Sequence, residues 1–239
     1  MSGTLYLLPS PIGGPLHASL PAAAIETARR VRHFLAENAK STRAFLKQLQ
    51  HPAPMRELSI VEIGHDPRDS DIAKWLAPLS AGSDMAIVSE AGCPAIADPG
   101  ATLVAAAHQN GWPVRPLVGP SSIVLALMAS GLNGQRFRFV AYLPIAVEAR
   151  AAAIRALERE SRHGDTQIFI ETPYRNVALF NTLLAECAPT TRLALAVDVT
   201  GEHAVIEQRT VGEWHERSSQ AKVALEKQPA VFCLLASSV

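Results

Sequence analysis

The most specific segment of this chain runs from Met85 to Gly100 and reads MAIVSEAGCPAIADPG. Its apolar beginning predicts a buried strand over Met85–Ser89. The loop that follows holds two glycines and two prolines within nine residues, so its backbone is rigid and can approach a ligand closely. Ala91, Gly92 and Cys93 are small and suit a flat ligand. Because ligands of open α/β sheets bind outside the carboxyl ends of strands, this loop is the first candidate for a binding site.

Three more loops follow strand candidates and are rich in glycine, proline or small hydroxyl residues. They read PSPIGG at residues 9–14, VGPSS at residues 118–122 and ETPYR at residues 171–175. The first matches neither a dinucleotide nor a Walker fingerprint and is also compatible with an ordinary tight turn. In the second, Ser121 or Ser122 can cap a helix whose free N–H groups suit a carboxylate or phosphate. In the third, Glu171 either faces a cleft or begins a helix with an ion pair to Arg175.

Short apolar runs alternate with helix-like segments along the whole chain, which predicts an α/β protein with largely parallel strands. The predicted strands are Leu5–Leu8, Val31–Ala36, Leu58–Ile63, Met85–Ser89, Val114–Val118, Phe137–Ala141, Gln167–Ile170, Leu193–Asp198, Ala204–Thr210 and Val231–Leu235. Helices are predicted near residues 20–30, 41–49, 70–79, 100–110, 121–130, 147–160, 174–186 and 218–226. Proline, glycine and serine cluster at residues 116–121, so we expect two α/β lobes, residues 1–118 and 119–239, with a cleft between them.

The composition is that of a folded protein without a strong preference for polyanions. Hydrophobic residues make up 48%, charged residues 18%, and 22 basic residues balance 22 acidic ones. A strong overall electrostatic grip on nucleic acid is therefore not predicted, although a local patch can form. The three cysteines have no CxxC spacing and the histidines no metal-ligand spacing, so neither a disulfide framework nor a metal site is expected. Without a signal peptide or an apolar stretch of membrane length, the chain is predicted to be cytoplasmic and not membrane-bound.

Taken in order, the four loops resemble one family. SPIGG is similar to that family's TPIGN, VSEAGCPAIADPG to VSDAGTPLISDPG, and VGPSS with ALMASGL to PGPSA with ALSASGL. FVAYLP and ETPYR are similar to FxGFLP and ESPHR. The chain thus resembles the S-adenosylmethionine-dependent small-subunit ribosomal RNA (cytidine-2'-O-)methyltransferase family, within the tetrapyrrole methylase superfamily, from about residue 4 to residue 215.

The resemblance implies a two-lobed, homodimeric methyltransferase that binds S-adenosyl-L-methionine between the lobes and acts on ribosomal RNA of the small subunit. It places the cofactor against residues of both lobes. In the first lobe these are Pro11, Ala91, Gly92, Cys93 and Ile96; in the second they are Ser121, Ser122, Glu171, Thr172, Thr200 and Gly201.

A ribose hydroxyl is a poor nucleophile, so an RNA acceptor benefits from a general base. Glu90, Glu171 and Glu37 are the carboxylates near the matched loops, and the sequence does not choose among them. Glu37 and Asn38, with Lys40 and Arg43, also begin a helix-like stretch typical of a solvated face.

The chain departs from the family pattern at several of these positions. The family's AEDTR reads AENAK at residues 36–40, its Asp and Thr in the central loop are Glu90 and Cys93, and the segment VTGEH lacks the family's lysine. Two alternatives to an RNA methyltransferase therefore stay open. One is a methyltransferase for a small molecule such as a tetrapyrrole, and the other is a module that binds the cofactor without catalysis.

Overall fold

The fold is described from a computed structural model, for residues 2–64 and 68–237. The chain divides into two units, Met1–Ser121 and Ser122–Val239. Each unit contains one five-stranded sheet. The predicted strands are all present, with ends that differ by at most two residues from the prediction. The α/β class predicted from the sequence is therefore confirmed.

All pairings in the sheet of the first unit are parallel, in the order β3-β2-β4-β1-β5. Its strands are β1 (Leu5–Leu8), β2 (His33–Ala36), β3 (Ser59–Glu62), β4 (Met85–Val88) and β5 (Val114–Pro116). Its helices are α1 (Leu16–Ser19), α2 (Ala22–Arg30), α3 (Ala39–Gln48), α4 (Asp69–Ser80) and α5 (Ala101–Gln109), with a 3-10 turn at Met55–Glu57.

Helices cover both faces of this sheet, and alternate side chains along each strand point to opposite faces. On one face Leu8, Phe34 and Val88 pack with residues of α2 and α3. On the other face Leu35 and Ile87 pack with residues of α4 and α5. Both faces of the sheet are covered by helices, and every residue of β4 is buried. This burial explains why β4 is apolar at every position.

The chain reverses its direction across this sheet between β1 and β4. From β1 it crosses toward β2, whereas from β4 it crosses past β1 to β5. The two crossovers therefore leave neighbouring strands in opposite directions, and such a switch point opens a crevice at the carboxyl edge. The loops beginning at Pro9 and Ser89 lie there.

The sheet of the second unit is mixed, in the order β6-β7-β10-β8-β9. Its strands are β6 (Phe137–Tyr142), β7 (Thr166–Glu171), β8 (Arg192–Val197), β9 (Val205–Thr210) and β10 (Ala230–Leu235). Its helices are α6 (Ser122–Ser130), α7 (Val147–Ser161), α8 (Asn176–Glu186), α9 (Val211–Glu216) and α10 (Ser218–Leu225).

Our expectation of largely parallel strands is wrong for this second sheet. Only β6 and β7 pair in parallel, and the other three pairings are antiparallel. Apolar runs carry no information about strand direction. The connection from β8 to β9 spans residues 198–204, which is shorter than the dozen or so residues of a parallel crossover, so its length does require an antiparallel pair.

The core of the second unit is aromatic on one face and aliphatic on the other. Phe169 stacks on Phe232 with ring centroids 5.7 Å apart, and Trp214 donates its indole N–H to the Leu193 carbonyl at 2.8 Å. On the opposite face α6 packs Ile123 and Leu127 on the sheet.

Among the described residues, two helices lie outside the predicted segments, and both are short. The first, α1, has only four residues, too few for a periodic apolar pattern. The second, α9, begins with a capping box between Thr210 and Glu213, a spacing that is readable in the sequence. No helix in the described part of the chain is both long and apolar enough to cross a membrane.

Candidate functional site

The loops after β1 and β4 are joined at the switch point by an isolated β-bridge. Ser10 donates its backbone N–H to the Gly92 carbonyl at 2.9 Å, and Gly92 returns a bond to the Ser10 carbonyl at 3.0 Å. The Ser10 hydroxyl donates to the Ser89 carbonyl at 2.8 Å. The first two sequence motifs therefore form one piece of structure.

The loop after β4 holds its backbone in conformations that L-residues rarely adopt. Gly92 and Gly100 have φ values of +75° and +135°, and Ala95 and Ala97 have φ values of +66° and +63°. A left-handed residue with a side chain costs about 1–3 kcal/mol and persists only when the surrounding structure enforces it. Such strain is concentrated at functional sites.

An apolar depression of about 380 Å³ lies beside this loop. That volume falls in the range of about 300–1,000 Å³ typical of small-molecule sites. The loop, β1, β5 and α5 supply its lining, which consists of Leu7, Pro9, Cys93, Pro94, Ala95, Ile96, Ala101, Val104, Pro116 and Leu117. Of the sequence-predicted residues, Cys93 and Ile96 lie in this lining, and Ile96 is 50% exposed.

The loop after β5 closes against the loop after β1. A Cβ atom added to Gly119 would lie 2.3 Å from the Cβ of Pro9, so only glycine fits there. Cys93 donates its thiol proton to the Pro120 carbonyl at 3.3 Å, and burial raises the pKa of this thiol. Ser121 immediately precedes α6 and Ser122 is its first residue. Pro11 is half-buried in the first loop.

Glu37 does not belong to a solvated face, contrary to our expectation for the stretch that it begins. Its side chain is buried, and its carboxylate accepts the backbone N–H of Glu90 with 2.9 Å between Oε2 and N. The side chain of Asn38 caps α3 by accepting the backbone N–H groups of Lys40 and Ser41. Sequence reasoning missed the burial because β2 and β4 become neighbours only in the folded sheet. Glu90 itself is exposed.

A buried polar atom at this edge has no partner within the described structure. The hydroxyl of Ser89, at the end of β4, is buried and makes no hydrogen bond. Such a group costs about 1–3 kcal/mol if it stays unpaired. A polar ligand at the switch point would satisfy it, so the residues present fit a cofactor that has both an apolar and a polar part.

The second unit has its own polar edge, where β7 and β8 end on either side of β10. Ala230 pairs with both Glu171 and Val197, which brings the carboxyl ends of β7 and β8 level. Glu171 is buried, and its Oε1 accepts from Thr172 N and from the Arg175 guanidinium, at 2.6 Å for each closest contact.

Two acceptors at this edge have no partner in the described structure: the Oε2 of Glu171 and the hydroxyl of Thr200. Gly201 lies against the Asp198 carboxylate, where an added Cβ would overlap it. Asp198 is left-handed, with φ +47°, and no pattern in the sequence indicates this conformation.

Among residues 2–64 and 68–237, no group of three or more His, Cys, Asp or Glu side chains is placed to hold a metal ion. Cys93, Cys187 and Cys233 are all free thiols.

The sequence matches a known family over most of its length. The family model described as Tetrapyrrole (Corrin/Porphyrin) Methylases matches residues 4–214. A protein of Micromonospora olivasterospora named ribosomal RNA small subunit methyltransferase I is 40% identical over 184 residues, which are 77% of this chain and 56% of that protein. The protein of the same name from Escherichia coli O157:H7 is 33% identical, over 88% of this chain and 70% of its own length. The chain thus spans little more than half of the Micromonospora protein.

The fold is shared with solved structures. The crystal structure of uroporphyrin-III-C-methyltransferase from Thermus thermophilus superposes with a TM-score of 0.57 at 20% identity, over 98% of this chain and 93% of that chain. From the family match and the 33% identity to the Escherichia coli protein, this chain belongs to the tetrapyrrole (corrin/porphyrin) methylase family and, within it, groups with the small-subunit ribosomal RNA methyltransferases.

Proposed function

We propose that this chain is a methyltransferase that binds S-adenosyl-L-methionine at the carboxyl edge of its first sheet and methylates RNA of the small ribosomal subunit. The observation that carries the proposal is the switch point itself. There the strained loop at residues 89–100 lies beside an apolar depression of about 380 Å³, and the Ser89 hydroxyl is buried without a partner.

The bound cofactor would supply a methyl group from its sulfonium: the acceptor oxygen would bond to the methyl carbon as the carbon–sulfur bond breaks in line, with S-adenosylhomocysteine as the leaving group. Most of the catalytic work is then positioning of donor and acceptor, which can lower the activation barrier by several kcal/mol. The loop from Gly92 to Ile96 is suited to hold a flat group against its backbone, and the apolar lining suits the apolar part of such a ligand. The Ser89 hydroxyl, which has no partner in the described structure, would orient the polar part of the cofactor by forming a hydrogen bond with it.

The carboxylates take different roles in this proposal. Glu37 is occupied by the backbone N–H of Glu90 and holds the loop in place. Glu90 is exposed at the same edge and is the candidate base for a ribose 2'-hydroxyl. If so, Glu90→Gln lowers kcat by about 10²–10⁴ while leaving cofactor affinity unchanged. An unchanged kcat would exclude Glu90 as the base.

RNA is favoured over a tetrapyrrole as the acceptor because the chain is more similar in sequence to ribosomal RNA methyltransferases than to the tetrapyrrole enzymes of known structure. The relatives named as ribosomal RNA methyltransferases are 29–40% identical to this chain, whereas the uroporphyrin and cobalamin enzymes of known structure are 12–20% identical. The cofactor-binding roles of all the residues that the resemblance indicates stay predictions: Pro11, Ala91, Gly92, Cys93, Ile96, Ser121, Ser122, Glu171, Thr172, Thr200 and Gly201. The homodimer and the cytoplasmic location, where ribosomal subunits are found, stay predictions as well.

The cofactor is tested by thermal unfolding with and without S-adenosylhomocysteine. A ligand at about 100 times its Kd adds about 2.7 kcal/mol, which raises Tm by about 5–10 °C for a chain of this size. Ser89→Ala should reduce that rise, and Ser80→Ala, at the end of α4, is the matched control. No rise at millimolar ligand for the wild type would overturn the proposal.

The acceptor is tested separately by transfer of a labelled methyl group. Label should enter the RNA of isolated small ribosomal subunits. Label in a small-molecule fraction would instead identify a tetrapyrrole-type acceptor, and binding without transfer to any fraction would identify a catalytically silent module.

A further inference from the structure

The helix α3 begins at the candidate site and carries an unusual set of charges. It contains Lys40, Arg43 and Lys47 and no acidic residue. Within the described part of the chain, it is the only helix with three basic and no acidic residues. All three basic residues are exposed.

The three cations lie on one face of the helix. At about 100° per residue they fall within about 60° of arc, and from the first to the third they span about 10 Å. Phe45 lies on the opposite face, and Phe45 and Leu46 both pack in the core of the first unit, so the basic face points away from the sheet. We call Lys40, Arg43 and Lys47 the α3 stripe.

No carboxylate of the described residues forms an ion pair with any member of the α3 stripe. Several arginines elsewhere do form ion pairs. In the second unit, Arg136 pairs with Asp165 and Arg138 pairs with Glu160. The α3 stripe is therefore a local positive surface on a chain whose net charge is zero.

The far end of the helix adds a fourth positive group. Arg29, at the end of α2, donates from its guanidinium to the Gln50 carbonyl at 3.0 and 3.2 Å. Gln50 follows the last turn of α3, so Arg29 is held at the same end of the helix as Lys47.

The near end is attached to the candidate site. Glu37, two residues before α3, holds the backbone of Glu90, and the Glu62 carboxylate accepts the backbone N–H of Ala39 at 2.8 Å. The α3 stripe therefore starts beside the loop at residues 89–100 and leads away from it.

We propose that the α3 stripe is a docking surface for the phosphate backbone of the RNA substrate, next to the methylation site. One strand of stacked nucleotides presents a phosphate per about 3.4 Å of its axis, so the stripe faces about three phosphates of a single strand. The inference rests on the proposed function, because it takes RNA as the acceptor. It adds a surface that positions the strand and carries no base specificity.

The test compares two triple variants with equal loss of charge. Lys40→Gln/Arg43→Gln/Lys47→Gln removes the α3 stripe and keeps good helix formers in α3. Lys74→Gln/Arg159→Gln/Lys222→Gln removes three cations from other helices. For both, and for the wild type, we would measure the affinity for naked small-subunit ribosomal RNA across a salt series, KM with intact small subunits, and the Kd of S-adenosylhomocysteine.

Each phosphate contact on a single strand contributes about 0.7 to the slope of log affinity against log salt. Loss of the α3 stripe should therefore lower the magnitude of that slope by about 2. The affinity for RNA should fall by about 100-fold at 0.1 M salt, with a rise in KM and an unchanged Kd for S-adenosylhomocysteine. The control variant should change the slope far less.

The outcomes separate this inference from the proposed function. If the wild type methylates subunit RNA and both variants retain the wild-type slope, the docking surface is wrong and the function stands. If KM with subunits rises but the affinity for naked RNA does not change, the stripe contacts a ribosomal protein and the RNA assignment is overturned. If the wild type binds S-adenosylhomocysteine and methylates no RNA, both proposals fail.

Discussion

The carboxylate of Glu37 accepts a hydrogen bond from the backbone N–H of Glu90, with 2.9 Å between the two atoms. The bond joins the end of β2 to the start of the loop after β4, across 53 positions of sequence. It ties the loop that we assign to the cofactor to the strand that leads into α3. A carboxylate with this partner is a positioning group in our proposal.

Substitution of Glu37 separates positioning from catalysis. Glu37→Gln keeps a carbonyl acceptor for the Glu90 N–H and should leave S-adenosylhomocysteine affinity within about threefold. Glu37→Leu removes the acceptor, and because hydrogen bonds to charged groups contribute about 1.5–3 kcal/mol, affinity should fall about tenfold or more. Calorimetric titration measures both. A Gln variant with intact binding but a kcat lowered by about 10²–10⁴ would instead identify Glu37 as a base.

Gly92→Val should abolish S-adenosylhomocysteine binding while the protein still folds. The backbone there is left-handed, with φ +75°, and an added Cβ would lie 3.3 Å from the Cγ2 of Ile12. A left-handed residue with a side chain costs about 1–3 kcal/mol, so the variant should also unfold at a lower temperature.

Gly111→Val is the matched control for this loss. Its φ of +69° imposes similar backbone strain, but no atom lies within 4 Å of its added Cβ. It should lose stability and keep its affinity. Equal affinity in both variants would remove the Gly92 turn from the site.

Gly119→Ala should destabilise the protein through a steric clash. The new Cβ would meet the Cβ and Cγ of Pro9 at 2.3 and 2.5 Å, and overpacking of this kind costs about 1–3 kcal/mol. Urea unfolding measures the loss. Gly134→Ala introduces a Cβ with no neighbour within 4 Å and should be nearly neutral. A Gly119→Ala protein as stable as the Gly134→Ala protein would show that the two loops are not in contact.

The sequence predicted the strands and the four loops because those depend on local patterns. Met85–Val88 is apolar because both faces of its sheet are covered. The glycines and prolines of the loop that follows can be read directly from the sequence. The direction of β10 and β9 was not predictable from apolar runs. Neither was the left-handed backbone of Ala95 and Ala97, since alanine has no preference for that conformation.

The burial and the positioning role of Glu37 could not be predicted from the sequence, for a different reason. As a sequence, AENAK is typical of an exposed helix start. Its carboxylate is buried because β4 lies beside β2, and that adjacency comes from the crossover order of the whole sheet. The unpartnered hydroxyls of Ser89 and Thr200 likewise become visible only when every neighbour is in place.

Two buried thiols should make the protein sensitive to alkali. Burial raises the pKa of Cys187 from 9.0 to about 12, with Glu158 and Glu186 adding to the shift, and burial raises the pKa of Cys233 to about 12. Between pH 9 and 12 the unfolded chain loses both protons and the folded chain keeps them. The free energy of unfolding should therefore be unaffected by these thiols below pH 9 and fall above it by about 1.4 kcal/mol per pH unit for each thiol.

Urea unfolding at pH 8, 9, 10 and 11 measures this fall, and the variant Cys187→Ala/Cys233→Ala is its control. The variant starts from a lower stability because it loses buried atoms, but its stability should decrease less steeply above pH 9. Lysines and tyrosines titrate in the same range in both proteins, so the difference between the two slopes isolates the thiols. Identical slopes would mean that these thiols ionise as readily in the folded protein as in the unfolded chain. Burial would then not raise the pKa of either thiol.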